Sequence, residues 1–153
     1  VHRITTEIEV SMAHRLMKHE GECQKLHGHN YKIRVAVDSY TGPSVITGMV
    51  MDFANLKQIL KSTIHDKMDH RIILHENDPI VHHLITTFNA VQIEPPWMLL
   101  VPFHPTAEEM ALYIVNTLRK EHPKTFECCF LTCQVFETEK NSSTYMEDRD
   151  EST

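Results

Sequence analysis

The sequence predicts an α+β domain: an antiparallel sheet covered on one face by two helices. Three observations predict it. Apolar side chains alternate with period two over residues 3–12, 30–38 and 127–137. Two amphipathic stretches, each opened by a capping residue, lie between the second and third of these. Strands and helices are thus segregated along the chain rather than alternating.

Each element can be justified in order. From Arg3 to Met12 the apolar residues Ile4, Ile8, Val10 and Met12 hold even positions. From Asn30 to Asp38 they hold odd ones, Tyr31, Ile33, Val35 and Val37, with Lys32, Arg34 and Asp38 opposite. Residues 38–44, DSYTGPS, read as a turn, and Val45–Met51 is predicted as a third strand. Asp52 caps a helix carrying Phe53, Leu56, Ile59, Leu60 and Ile64. The run KMDHRIIL follows, then an irregular region with DP and EPP breakers and a short helix within Asp78–Phe88. Trp97–Phe103 is apolar and extended. Thr106 and Glu109 form a capping box before a helix through Met110, Ile114, Val115 and Leu118. The last predicted strand, Glu127–Glu137, carries Cys129, Leu131, Cys133 and Val135 on one face. Residues 1–145 read as one domain, and 146–153 as a polar acidic tail expected to be disordered.

Composition narrows the function. With 41% hydrophobic and 24% charged residues, the chain has an ordinary globular make-up. A net charge of -6 argues against a general nucleic-acid binder. No apolar run reaches the roughly 20 residues of a membrane helix. The N-terminus does not read as a signal peptide. Four cysteines, two of them adjacent, do not make a disulfide framework; they suit a reducing compartment and so a cytoplasmic protein.

The stretch CQKLHGHNY, Cys23–Tyr31, sets a thiol and two imidazoles within seven residues. His27 and His29 share the parity of Tyr31, Ile33, Val35 and Val37 and so extend the inward stripe of their strand. His14 does the same for Ile8, Val10 and Met12. If the two strands pair antiparallel, the loop from Arg15 to Leu26 brings His14 beside His27 and His29, with Cys23 on that loop. Three imidazoles make a Zn²⁺ site with one open position, the catalytic pattern. Cys23 then serves as a base or nucleophile whose pKa a dication lowers. A structural site with Cys23 as fourth ligand, or surface histidines around an inert thiol, are the competing readings. Asp69 and His70 are a candidate acid–base pair or a solvated one. Glu137 ends an apolar stripe, where a carboxylate can grip a two-donor ring edge or simply meet water. His82, His83 and His104 lack partners at ligand spacing.

Taken together, SMAHRL (11–16), CQKLHGHNY, GMVMDFANLK (48–57), MDH (68–70), HPTAEE (104–109) and VFET (135–138) resemble, in order, the 6-pyruvoyl-tetrahydropterin synthase / 6-carboxy-5,6,7,8-tetrahydropterin synthase family. The resemblance spans about residues 3–145. It implies the tunnelling fold, an antiparallel sheet with two helices on one face. Subunits would join through sheet edges into trimers that stack as hexamers, with sites between subunits. It implies zinc on His14, His27 and His29, Cys23 as the proton-abstracting thiol, and Asp69 and His70 as its proton-relaying partners. Glu137 would anchor the pterin, and Thr106 and Glu108 would lie near that pocket. The implied substrate is 7,8-dihydroneopterin triphosphate, with Arg15, Lys18 and Lys25 as candidate cations for its phosphates. The Cys-x₃-His-Gly-His spacing is similar to that of the bacterial 6-carboxytetrahydropterin synthases of the queuosine route, which implies a carbon–carbon lyase releasing acetaldehyde. Met12 in place of a small residue, and a long segment from 77 to 102, depart from compact members.

Overall fold

In the computed structural model, residues 1–148 are described. In chain order the elements begin with β1 (His2–His14), a 3₁₀ turn (Glu22–Gln24) and β2 (His27–Ser39). Next come α1 (Phe53–Leu60), a π-helical turn (Lys61–His65), the one-turn α2 (Asp66–Met68) and β3 (Ile72–His75). Then follow α3 (Ile80–Ala90), β4 (Met98–Val101), α4 (Ala107–Glu121), β5 (Cys129–Phe136) and β6 (Ser142–Met146).

Alternation in β1 and β2 is satisfied by antiparallel pairing along their whole length, from His2 opposite Ser39 to His14 opposite His27. β5 continues the sheet beside β2, and β6 beside β5, both antiparallel. The inward stripes Val10–Met12, Tyr31–Val37 and Leu131–Val135 meet Leu56, Leu60, Ile64, Met110, Ile114 and Leu118 in one core. Each such apolar side chain gains about 1.5–3 kcal/mol from burial. Both predicted caps hold: Asp52 accepts the Ala54 amide at 2.7 Å and Thr106 the Glu109 amide at 3.3 Å.

The class holds, but the sheet is mixed rather than wholly antiparallel. β3 and β4 join beyond β1 as parallel strands, giving the order β4-β3-β1-β2-β5-β6. α3 is the crossover between those two parallel strands. Leu74 and Val81 are buried yet stand apart from the main core cluster.

The strand predicted at Val45–Met51 does not form. Ser44 Oγ accepts the Ile46 and Thr47 amides, Gly48 turns at φ 69°, and the Ser44 amide reaches Met49 O. This closed turn leaves Val45 and Ile46 in solvent, and the far edge of β2 is already taken by β5. At the other end of the sequence, Met146 closes β6 and Glu147 pairs with Arg119 and the Leu131 amide. Of the expected tail 146–153, residues 149–153 lie outside the described residues. All four cysteines are free thiols. Among the described residues, no helix is long and apolar enough to cross a membrane.

Candidate active site

Register alone builds the centre of the site. His14 faces His27 and Met12 faces His29 across the β1–β2 ladder. Ring centroids of His14 lie 4.6 Å from His27 and 5.5 Å from His29, and those of His27 and His29 are 5.0 Å apart. Gly28 between them has a steric reason: a Cβ there would stand 3.0 Å from the Met12 carbonyl oxygen. Glu137, one residue past β5, brings Oε1 to 3.4 Å from Nε2 of both His14 and His29.

Hydrogen bonds set the tautomers. His14 Nδ1–H donates to Pro105 O and His27 Nδ1–H to Lys25 O, each at 2.7 Å. Their Nε2 lone pairs are therefore turned inward, as imidazole ligands require. His14 is buried, and burial pushes its pKa down, so it stays neutral. A neutral acceptor nitrogen facing a carboxylate oxygen is unfavourable unless a cation lies between. His29 Nε2 is in addition a buried polar atom with no hydrogen-bond partner. One ligand atom from each of His14, His27, His29 and Glu137 fits within 4.8 Å of all the others. The donor set fits a metal ion. Cys23 is not part of that group, and the fourth candidate ligand is the Glu137 carboxylate.

Cys23 instead lies in the 3₁₀ turn and lines a cavity of about 190 Å³ with His14, Thr106, Glu108 and Glu137. The Leu16 amide holds the Cys23 carbonyl at 2.8 Å, which closes the loop over the strand ends. The start of α4 forms the opposite wall through Thr106 and Glu108.

Asp69 and His70 do not line this cavity. They lie by a shallow depression shared with Ser11, Gly28, His29 and Asn30. The Ser11 amide donates to Asp69 Oδ1 at 2.9 Å, Asp69 Oδ2 is 2.6 Å from His70 Nδ1, and the His70 amide donates to Ser11 O at 2.7 Å. Burial pushes the Asp69 carboxyl up, but the Ser11 amide and His70 outweigh it and hold it below its ordinary range. His70 has φ 57°, unusual for a residue with a side chain, and an 81% exposed ring.

The remaining candidates have neighbours of their own within the subunit. Arg15 is committed to the buried Asp78 at 2.7 Å and Lys25 to Glu22 at 2.8 Å. His82 and His83 are exposed on α3, and His104 packs near His75 with centroids 5.1 Å apart. Two groups were not anticipated. The Tyr31 hydroxyl lies 3.0 Å from His14 Nε2, and Ser11 Oγ donates to Asn30 Oδ1 at 2.8 Å. Parity already set Tyr31 next on the histidine stripe, but a core reading hides its hydroxyl.

Comparison with known proteins decides the family. The family model for 6-pyruvoyl tetrahydropterin synthase matches residues 3–148. The chain belongs to this family. The match takes in every candidate residue above, from His14 to Glu137. Among curated relatives, the 6-carboxy-5,6,7,8-tetrahydropterin synthase of Haemophilus influenzae is 37% identical over 121 residues, 78% of this chain and 83% of that one. That of Rickettsia bellii is 31% identical over 139 residues, 89% of this chain and 94% of that one. Two solved structures share the fold of this pterin-synthase family member. An uncharacterized protein from Wolinella succinogenes has a TM-score of 0.74 at 22% identity, covering 96% of this chain and 98% of that one. The 6-pyruvoyltetrahydropterin synthase of Plasmodium vivax has 0.71 at 18%, covering 97% and 100%.

Proposed function

We propose that the protein is a zinc-dependent 6-carboxy-5,6,7,8-tetrahydropterin synthase, a carbon–carbon lyase. It takes 7,8-dihydroneopterin triphosphate and water to 6-carboxy-5,6,7,8-tetrahydropterin, acetaldehyde and triphosphate. One observation carries the reading: a single cavity sets the Cys23 thiol and the Glu137 carboxylate against His14 of the imidazole group. The names of the curated relatives and the Cys-x₃-His-Gly-His spacing favour the carboxy product over the pyruvoyl one.

Each group then has a role. His14, His27 and His29 hold the zinc, which when bound supplies Lewis-acid polarisation of the hydroxyls on the substrate's side arm. Glu137 accepts paired N–H donors from the pterin edge, and Thr106 and Glu108 border the same pocket. Fixing the ring in this way delivers the side arm to the thiol. Cys23 removes a carbon-bound proton from that arm. His70 moves that proton onward, with Asp69 setting its tautomer through Nδ1. Within one subunit, His70 is exposed and outside the cavity. The reading therefore has a neighbouring copy supply the Asp69–His70 pair, in a homotrimer or hexamer with sites between subunits. Open strand edges support that assembly. β3 pairs with β1 only at Ala13 and His14, which leaves most of that edge of β1 open among the described residues, and β6 ends the sheet on the other side.

Incubation of zinc-loaded protein with 7,8-dihydroneopterin triphosphate tests the reading. The expected products are acetaldehyde and the 6-carboxy compound in equal amounts. The pyruvoyl compound without acetaldehyde would make it a 6-pyruvoyl-tetrahydropterin synthase. Binding without turnover in the assembled protein would make it a pterin-binding module.

A further inference from the structure

Tyr31 follows His27 and His29 on the inward stripe of β2 and is wholly buried. A buried phenol needs a partner for its hydroxyl. Here there are two acceptors for one hydrogen. The oxygen lies 3.0 Å from His14 Nε2. The Glu137 carboxylate flanks the same nitrogen from another side, its own oxygen 3.4 Å away. Because His14 Nδ1–H is spent on Pro105 O, Nε2 carries a lone pair and Tyr31 O–H donates to it. The ring is held edge-on by two neighbours, at 86° to His14 and 82° to His29. Only rotation about the C–O bond is left to the hydroxyl.

We propose that Tyr31 is a positioning residue whose hydroxyl turns its hydrogen bond from His14 Nε2 to Glu137 when a cation takes the imidazole lone pairs. This rests on the pterin-synthase reading above and deepens it. Once the cation has the Nε2 lone pair, Glu137 is the acceptor left to the hydroxyl. The bond then orients the carboxylate toward the N–H donors of the pterin edge. Before the cation arrives, the same hydroxyl competes with it for His14. One hydroxyl therefore acts with opposite signs on two binding events, which a residue that only packs cannot do.

Tyr31→Phe keeps the ring and removes the hydroxyl. Zinc affinity is read by competition with a chromogenic chelator. Affinity for 7,8-dihydroneopterin is read by calorimetry on zinc-loaded parent, Tyr31→Phe, Glu137→Gln and the double variant. Zinc should bind roughly 3–10-fold more tightly to Tyr31→Phe, and the pterin more weakly by a similar factor, the usual worth of one hydrogen bond. The double variant should bind the pterin no worse than Glu137→Gln alone, because the hydroxyl acts through that carboxylate. Weaker zinc binding would overturn the proposal. So would pterin losses that multiply in the double variant while the parent binds normally. A parent that takes zinc but not the pterin would instead sink the substrate reading and the Glu137 half with it, and the zinc comparison would still judge the His14 half.

Discussion

His14 and His27 stand directly opposite each other in the β1–β2 ladder, 4.6 Å between ring centroids, and each spends its Nδ1 hydrogen on a backbone carbonyl. The tautomers are thus fixed by backbone rather than by mobile side groups. His27→Ala should leave the sheet intact, since its ring is only half-buried. It should cost on the order of 10²-fold or more in zinc affinity, beyond what loss of an outer-shell partner costs. The parent should hold one zinc per subunit. X-ray absorption should give nitrogen and oxygen ligation, and a sulfur ligand would return Cys23 to a structural role.

The four thiols should separate by accessibility. Cys128 is exposed and Cys23 half-buried, whereas Cys129 and Cys133 point into the core. Burial pushes the Cys133 thiol up to about 12, and it also raises Cys129, against the pull of Arg119. Thiolate is the reactive form. Alkylation of native protein near neutral pH, mapped by mass spectrometry, should mark Cys128 first and Cys23 next. Cys129 and Cys133 should react only on unfolding. Labelling of Cys133 at the rate of Cys128 would mean the inward face of β5 is not packed as described.

The centre of the site was legible because strand parity is a geometric rule. His14, His27 and His29 continue apolar stripes, and pairing of those stripes forces the imidazoles together. Glu137 was legible for the same reason, as the polar end of the β5 stripe. What parity cannot give is what lies across space. The parallel strands β3 and β4 are four residues each, too short for a period, and were readable only as apolar runs. β6 carries Tyr145 and Met146 alone as apolar residues, so its place beside β5 rests on hydrogen bonds that composition does not encode. Val45–Met51 failed in the other direction: its apolar residues suggested a strand, but Ser44 offered the local amides a nearer acceptor. Asp69 and His70 were found as types, yet their separation from Cys23 within one subunit was invisible without coordinates.

Asp69 gives an acid-range test. Its carboxyl is held below the ordinary range by the Ser11 amide and His70 despite burial. A depressed folded-state pKa contributes stability above the unfolded-state value and loses it as pH falls through the folded one. Asp69→Asn should lower Tm at neutral pH and flatten the decline of Tm as pH falls through and below the ordinary carboxylate value of about 4. The variant also loses the carboxylate that faces His70 Nδ1, so turnover should fall more than stability does. Parallel melting curves for parent and variant across that range would count against the Ser11–Asp69 clamp.

Cys23→Ala separates the thiol from the metal. The residue sits in a 3₁₀ turn with no buried residues, and the turn is fixed by backbone bonds from Leu16 to Cys23 O and from Lys25 to Glu22 O. Removing Sγ should therefore leave the loop, the oligomer and Tm unchanged. Zinc content should also survive, because the three imidazoles hold it and the thiol is not among the grouped ligand atoms. Pterin binding should persist through Glu137. Turnover of 7,8-dihydroneopterin triphosphate should fall by roughly 10²–10⁴, the usual worth of a positioned acid or base. A structural CysHis₃ site predicts the reverse order of damage, with zinc lost first and stability and rate falling together. Zinc stoichiometry and single-turnover rate, measured on one preparation, distinguish the two. Full zinc with a near-normal rate would strip Cys23 of both roles and leave His70 as the group to test next.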